Sequence, residues 1–208
     1  AFVGYGDGFN ADGTLAANDV GLQVSDLSFG LAMFTQGSVN GVTLPPSLAK
    51  KYTSLKATAA SAGLVGMDDF VTATLEGITI KLTQGKDPIT LGFLTQLMPD
   101  YTKSTYTRPD GTTGTGYAID TGDPANPVVL DFKGKLQVAE VNKATLVVWK
   151  FVYLTGSFAF TRQSGQSLWL GTDSSPTTFN VLTVGAAHVN AFVGYGDGFN
   201  ADGTLAAN

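Results

Sequence analysis

Cysteine is absent from the 208-residue sequence, which excludes disulfide bonds, thiolate metal sites and cysteine nucleophiles. Histidine occurs once, at His188, and neither cysteine nor a cluster of carboxylates accompanies it in the sequence. A zinc site or a catalytic triad is therefore not expected. Long apolar runs are absent too, since none reaches the roughly eighteen residues that a membrane-spanning helix needs. The sequence predicts no transmembrane segment.

Charge is scarce: charged residues make up 14% of the chain, and the formal net charge is −5. The charged share is about half the usual one. No basic stripe is available to neutralise phosphates, which excludes nucleic acid as a partner. No carboxylates pair in an apolar context as glycosidase acids do, so we predict that the protein is not an enzyme. Low charge with abundant glycine and threonine is common in bacterial surface proteins and predicts an extracellular or cell-surface location.

The sequence contains one long internal identity. Residues 1–18 and 191–208 both read AFVGYGDGFNADGTLAAN, and they are 190 positions apart. Such an identity indicates either a copied end or a window of one full period followed by the start of the next. We favour the second interpretation, because a tandem array gives this register without special assumptions. Residues 1–190 are then one complete β-rich repeat, and residues 191–208 begin the next identical repeat.

Most of the chain has the alternating pattern of β-strands. Apolar residues in 20–35 recur with period 2, with one slip after Asp26 that predicts a bulge or corner there. We predict an all-β fold, elongated and either solenoid-like or a stack of sheets, with a β-sandwich as the alternative. At most two short helices are expected, one near Ser47 and one from Leu91 to Met98.

The strand segments share a degenerate skeleton of apolar and small residues that begins at Leu22, Leu55, Leu136 and Val184. Within it, the blocks SLKATAASAGLVG (54–66) and LTVGAAHVNAFVG (182–194) resemble the tandem β-rich repeats of very large secreted bacterial surface proteins of planctomycete and gammaproteobacterial type. The resemblance covers most of the period except the polar tract 101–127. It implies an extracellular, repetitive and structural protein without established catalytic residues.

Calcium is the one cofactor that the sequence suggests. Asn10 and Asp12 alternate before Gly13, as side chains do in an oxygen-rich calcium loop, and Asp7 could supply a further ligand. The same three positions recur as Asp197, Asn200 and Asp202. The alternative is a plain Asx/Gly turn between strands.

These patterns support two functional interpretations. The leading one is a structural protein that forms a fibre, stalk or surface layer, whose partners are copies of itself. Its repeat junction is expected at Val189, Ala191 and Val193, on a strand with small or apolar residues on both faces. The alternative is an adhesin-type module that binds carbohydrate through the loops of residues 101–127, by stacking on Tyr101, Tyr106 and Tyr117.

Overall fold

The structure, a computed structural model, describes residues 1–39, 41–86, 97–171, 175–196, 198–200 and 204–206. Nearly all regular structure in this part of the chain is extended. The strands are β1 (Phe2–Tyr5), β2 (Val20–Ser25), β3 (Ser28–Thr35), β4 (Ser38–Val39), β5 (Val42–Thr43), β6 (Lys51–Val65), β7 (Val71–Lys86), β8 (Thr105–Thr107), β9 (Thr113–Thr115), β10 (Tyr117–Ile119), β11 (Val128–Leu130), β12 (Leu136–Val148), β13 (Val152–Leu168) and β14 (Thr177–Val193). The all-β prediction is confirmed.

Eight of these strands form one antiparallel sheet in the order β1-β2-β6-β7-β12-β13-β14, with β3 continuing the line of β2 along β6. Apart from β1 and the interrupted β2–β3 line, each strand has 13 to 17 residues. The sheet is open, because β1 and β14 each have a neighbour on one side only. Successive long strands are neighbours, so the chain runs back and forth across the sheet as a meander.

A line of irregularities crosses the sheet near mid-strand. Asp26, Ala60, Gly77 and Asn142 lie opposite one another in the register, and the pairing is interrupted at each of them. Asp26 and Gly77 have φ of 49° and 62°. A residue with positive φ breaks the two-residue alternation of side chains along a strand, so the apolar pattern changes phase there. The irregularity predicted after Asp26 is confirmed, and its neighbours in the sheet share it.

The connection between β7 and β12 covers one face of the sheet. It carries the hairpins β8–β9 and β10–β11 and a short 3-10 helix, Tyr101–Lys103. Its apolar side chains pack on inward-facing residues of β3 and β12 to form the core. The buried members are Tyr101, Leu130, Phe132, Leu136 and Val138, with Ala32, Phe34 and Ile119 packed against them. An ion pair holds the same connection to β6, since Lys56 Nζ lies 2.9 Å from Asp131 Oδ2.

The expectation of a short helix at Ser47 is wrong. Residues 46–48 form turns, in which the Leu48 amide donates to the Pro45 carbonyl, and β6 begins at Lys51. So short a segment cannot offset the cost of starting a helix, and β6 takes the following residues into the sheet. The helix predicted from Leu91 to Met98 falls almost wholly outside the described residues. The short helix that is present begins three residues later, where the Asp100 side chain caps the Thr102 amide.

No described segment of the chain covers the opposite face of the sheet in this way. Residues that alternate with Ala32 and Phe34 along β3, and their cross-strand neighbours on the following strands, point away from the core. Large apolar side chains on this uncovered face are between 41% and 77% exposed, namely Phe29, Leu31, Met33, Ile80, Phe160, Leu182 and Val184. A sheet face of this composition is unusual on a dispersed monomer.

Three hydroxyl groups form a buried chain beneath the connection. Ser54 Oγ lies 2.7 Å from the Tyr101 hydroxyl and 3.0 Å from Thr83 Oγ1, and both Ser54 and Thr83 are fully buried. Each buried hydroxyl is thereby hydrogen-bonded, which avoids the penalty for an unpaired polar group. Burial raises the pKa of the Tyr101 hydroxyl above its ordinary value near 10, although the hydrogen bond to Ser54 opposes the shift.

This shift predicts a loss of stability in alkali that Tyr101→Phe should reduce. Above pH 10 the tyrosine of the unfolded chain ionises first, while the folded one stays protonated. The unfolded state then binds fewer protons, so the free energy of unfolding falls as pH rises through this window. Urea titrations between pH 8 and 11 should show a shallower decline for Tyr101→Phe than for the wild type. Equal slopes would show that Tyr101 is not the group responsible.

Candidate functional site: the repeat junction

Where both are described, the two copies of the repeated segment fold in the same way. Phe9 bridges Leu15 in the first copy, and Phe199 bridges Leu205 in the second. The amide nitrogen of Asn10 donates to the Thr14 carbonyl over 2.8 Å, and the equivalent bond from Asn200 to Thr204 has the same length. The backbone torsions agree as well, since φ is 139° at Gly6 and 148° at the equivalent Gly196. The described part of the loop therefore has the same conformation in two different surroundings.

Two side chains of the suggested calcium loop, Asp12 and Asn10, form hydrogen bonds within the turn itself. Asp12 Oδ1 accepts from the Thr14 hydroxyl at 2.6 Å and from the Thr14 amide at 3.0 Å, and these bonds lower the pKa of the carboxyl. The Asn10 side-chain amide donates to Thr14 Oγ1 and to the Leu15 carbonyl. No cluster of three or more carboxylate or histidine side chains suited to a metal occurs among the described residues. The geometry is that of the Asx turn, and calcium binding stays a prediction.

The second copy leaves part of this loop undescribed. Asp197 and Asp202 lie outside the described residues, so only Asn200 can be compared with its equivalent. Its side-chain amide donates to Thr204 Oγ1 at 3.1 Å, the same distance as from Asn10 to Thr14.

The strand of the second copy pairs with β13. Phe192 lies opposite Tyr153 and Val193 opposite Val152, and the Gly194 amide donates to the Phe151 carbonyl over 2.9 Å. Hydrogen-bonded and non-bonded pairs alternate along an antiparallel ladder. The backbone groups of residues 192 and 194 therefore face β13, whereas those of residues 191, 193 and 195 face outward from the sheet.

The strand of the first copy uses the opposite edge. Ala1 and Val24 exchange both backbone hydrogen bonds, with the Val24 amide 2.7 Å from the Ala1 carbonyl. The same alternation makes Val3 and Leu22 the next hydrogen-bonded pair, followed by Tyr5 and Val20. Residues 1, 3 and 5 thus face β2, and they are the equivalents of residues 191, 193 and 195. The edge that the first copy uses is the edge that the second copy leaves free.

The three predicted junction residues all lie on β14, but they have different positions. Val189 packs beside Gly156, next to the irregularity at His188, and it precedes the copied segment. Ala191 and Val193 belong to the copied strand and carry its outward-facing backbone groups. Sequence alternation located the strand, but it did not show which edge was free, because that depends on the hydrogen-bond register with β13.

The loop after the strand has a different neighbour in each copy. In the first copy the Gly8 amide donates to Asp19 Oδ1 over 3.2 Å, and Asp19 is only 4% exposed with Oδ2 unpaired. In the second copy the Tyr153 hydroxyl donates to the Gly196 carbonyl over 2.6 Å. The Tyr153 ring also occupies the space that a side chain on residue 198 would need, which is available because that residue is glycine. Asp19 follows one copy and Tyr153 precedes the other. Neither residue was identified as a junction residue from the sequence.

The three tyrosines proposed for sugar stacking do not form one exposed platform, although the rings of Tyr101 and Tyr117 lie 6.3 Å apart. Tyr101 is only 4% exposed and belongs to the core, where its ring lies 5.7 Å from that of Phe132. It is therefore a packing residue, because the polar tract around it folds onto the sheet. Tyr117 packs edge-on against Phe34 at 5.2 Å, while the Tyr106 ring instead stacks under the guanidinium group of Arg108.

A shallow cleft of about 430 Å³ lies beside β14. Its lining includes several polar side chains, His188 among them, but its surface is mainly apolar, with contributions from the rings of Tyr153 and Phe199. His188 has φ of 53°, and its carbonyl accepts from the Asn190 side chain. Ser157 and Lys143 also line the cleft, and no carboxylate is among the described residues that do so. Because β14 and the loop of the second copy bound it, its shape depends on the conformation of the junction.

Helices that are long and apolar enough to cross a membrane do not occur in the described part of the chain. Comparisons of the sequence with protein-family models and with curated proteins, and of the structure with solved structures, gave no significant match.

Proposed function

We propose that this protein is a structural repeat whose copies join edge to edge into one continuous antiparallel sheet, forming an extracellular fibre, stalk or surface layer. The observation that carries the proposal is the pairing of the copied strand. One copy offers residues 1, 3 and 5 to β2, and the other offers residues 192 and 194 to β13. A single strand can make both sets of bonds at once, with β13 of one unit on one side and β2 of the next on the other.

The free edges favour this assembly. An unpaired strand edge exposes a row of backbone donors and acceptors, and proteins that stay dispersed protect such edges with charges, prolines or bulges. The copied segment AFVGY has no charge and no proline at its outward positions Ala191, Val193 and Tyr195. A continuous sheet would satisfy these backbone groups. The low overall charge and the resemblance to repeats of secreted bacterial giants agree with the same proposal and with a location outside the cell.

The meander sets the dimensions of such an assembly. Each 190-residue unit contributes six strands to the sheet. In this count β2 and β3 form one strand, and β14 of one unit takes the place of β1 of the next. Neighbouring strands are about 4.8 Å apart, so a unit extends the sheet by about 29 Å. The strands would lie across the long axis of the assembly, and the connection between β7 and β12 would recur once per unit along one face.

Fibre diffraction tests this geometry. Assemblies grown from the 208-residue chain and aligned by drying should give a meridional reflection near 4.8 Å. Electron microscopy of the same material should show a repeat of about 29 Å along the fibre, since each unit adds six strands. Dispersed particles at high concentration, or fibres whose 4.8 Å reflection lies on the equator, would contradict the continuous sheet.

A further inference from the structure

We propose that the first strand of the chain is exchangeable: residues 191–195 of a second copy replace residues 1–5 on β2. The inference rests on the proposed function and names how two separate copies make the junction. The two strands are identical in sequence, so β2 meets the same side chains and backbone groups in either case. The occupant of the β2 edge is thus a defined segment of another copy of this chain.

Strand β1 makes few contacts with the rest of the chain. β1 pairs with β2 alone, through four residue pairs, and no other strand covers its outer edge. Val3 is 76% exposed and Tyr5 is 85% exposed, so their departure uncovers almost no apolar surface. In contrast, residues 191–193 continue a 17-residue strand whose pairing with β13 stays intact when the outward edge engages a partner.

Exchange also completes the loop contacts. As far as the chain is described, the loop of the first copy is bonded to Asp19 and the loop of the second copy to Tyr153. After exchange, the loop of the incoming copy keeps its own Tyr153 and gains Asp19 of the acceptor copy, which bonds the amide of the second loop glycine. The hydrogen bonds lost by β1 are replaced one for one, and the incoming strand keeps the Tyr153 contacts that it already makes within its own chain. Exchange therefore loses no ladder hydrogen bond, and it brings Asp19 and Tyr153 to the same loop.

Engineered cysteines can detect the exchange, because the natural chain has none. Val3 and Leu22 are a hydrogen-bonded pair, whose Cα atoms lie about 5.5 Å apart in antiparallel sheets. That separation suits a disulfide bond. Val193→Cys on one full-length chain and Leu22→Cys on another should therefore form a mixed disulfide under mild oxidation, because Val193 is the equivalent of Val3. All three side chains are exposed by 44% or more, so the substitutions spare the core.

Two controls fix the interpretation. The double variant Val3→Cys with Leu22→Cys should form an intramolecular disulfide, which verifies the geometry. Leu182→Cys mixed with Leu22→Cys provides a cysteine on the same β14 strand with similar exposure, at a position that exchange does not bring to β2. Gel electrophoresis and mass spectrometry should find the mixed dimer at least about tenfold enriched for Val193→Cys over Leu182→Cys.

The outcomes separate the two proposals. Enrichment of the Val193–Leu22 dimer supports exchange. Chains that associate into fibres with a 4.8 Å meridional spacing but give no enrichment overturn exchange. A continuous sheet then stands with β1 in place, and its repeat should be about 34 Å, since each unit adds seven strands. Chains that neither associate nor crosslink overturn both. Equal crosslinking through Leu182→Cys would show random collision and also overturn exchange.

Discussion

Replacing Leu130 with alanine is expected to lower the free energy of unfolding by about 3 kcal/mol, the typical cost of such a truncation in a packed core. Leu130 has no exposed surface and lies among Tyr101, Phe132 and Leu136, so its removal leaves a cavity between the connection and the sheet. The buried apolar cluster is small for a chain of this length, and other side chains have little opportunity to fill the space. Urea unfolding followed by tyrosine and tryptophan fluorescence measures the change.

Leu182→Ala is the matched control for this substitution. It makes the same chemical change on the uncovered face, where the side chain is 59% exposed. Little transfer free energy is lost from such a position, so the expected change in an unassociated chain is below about 1 kcal/mol. Similar losses for the two variants would mean that the uncovered face is packed in solution as tightly as the core, and the single-sheet architecture would then need revision.

The strand content was predictable because it is a local signal. Alternating apolar residues locate β3, β6, β7 and β13, and the phase change after Asp26 locates an irregularity that the structure shows. The order of strands in the sheet was not predictable from periodicity alone, since alternation shows a face and not a neighbour. For this reason a solenoid, a stack of sheets and a sandwich were all compatible with the sequence, and the single sheet with one covered face was not foreseen.

The polar tract shows the opposite difficulty. Threonine, glycine and proline dominate residues 101–127, and this composition predicts exposed loops. Tyr101, in the 3-10 helix that opens the tract, and Leu130, in β11 just after it, nevertheless belong to the core. Their cluster includes side chains from β3 and β12, namely Ala32, Phe34, Leu136 and Val138. A composition argument cannot reveal such contacts, and it therefore assigned Tyr101 to a ligand-binding surface.

The junction has one feature that the sequence predicts and one that it does not. The eighteen-residue identity could be read from the sequence, and it pointed to copies of the chain as the partner. The identity could not show which edge of the copied strand is unpaired in each copy. The direction of a backbone amide depends on which residues across the ladder are hydrogen-bonded. Only the bonds of Ala1 with Val24 and of Gly194 with Phe151 show that the two copies present opposite edges.

The same substitution in the two copies is therefore expected to have different consequences. Val193→Pro removes an outward-facing amide that has no strand partner among the described residues, so association should weaken at least about tenfold through the lost ladder bond. Stability of the unassociated chain should change little. Val3→Pro removes an inward-facing amide that pairs with Leu22, so β1 should detach from β2. The vacant β2 edge should then accept residues 191–195 of another copy, and association should persist or increase.

Each proline variant is the control for the other, because the residues around positions 3 and 193 are identical and any local strain on the ring is the same. Sedimentation velocity over a range of protein concentrations gives the association, and urea unfolding at low concentration gives the stability of the single chain. Val193→Thr, which keeps the amide and the β-branched shape, should associate like the wild type. Loss of association in both proline variants would indicate that β1 itself is the contact surface. Full association of Val193→Pro would show that the outward edge of β14 is not the junction, because the ladder bond at this position could no longer form.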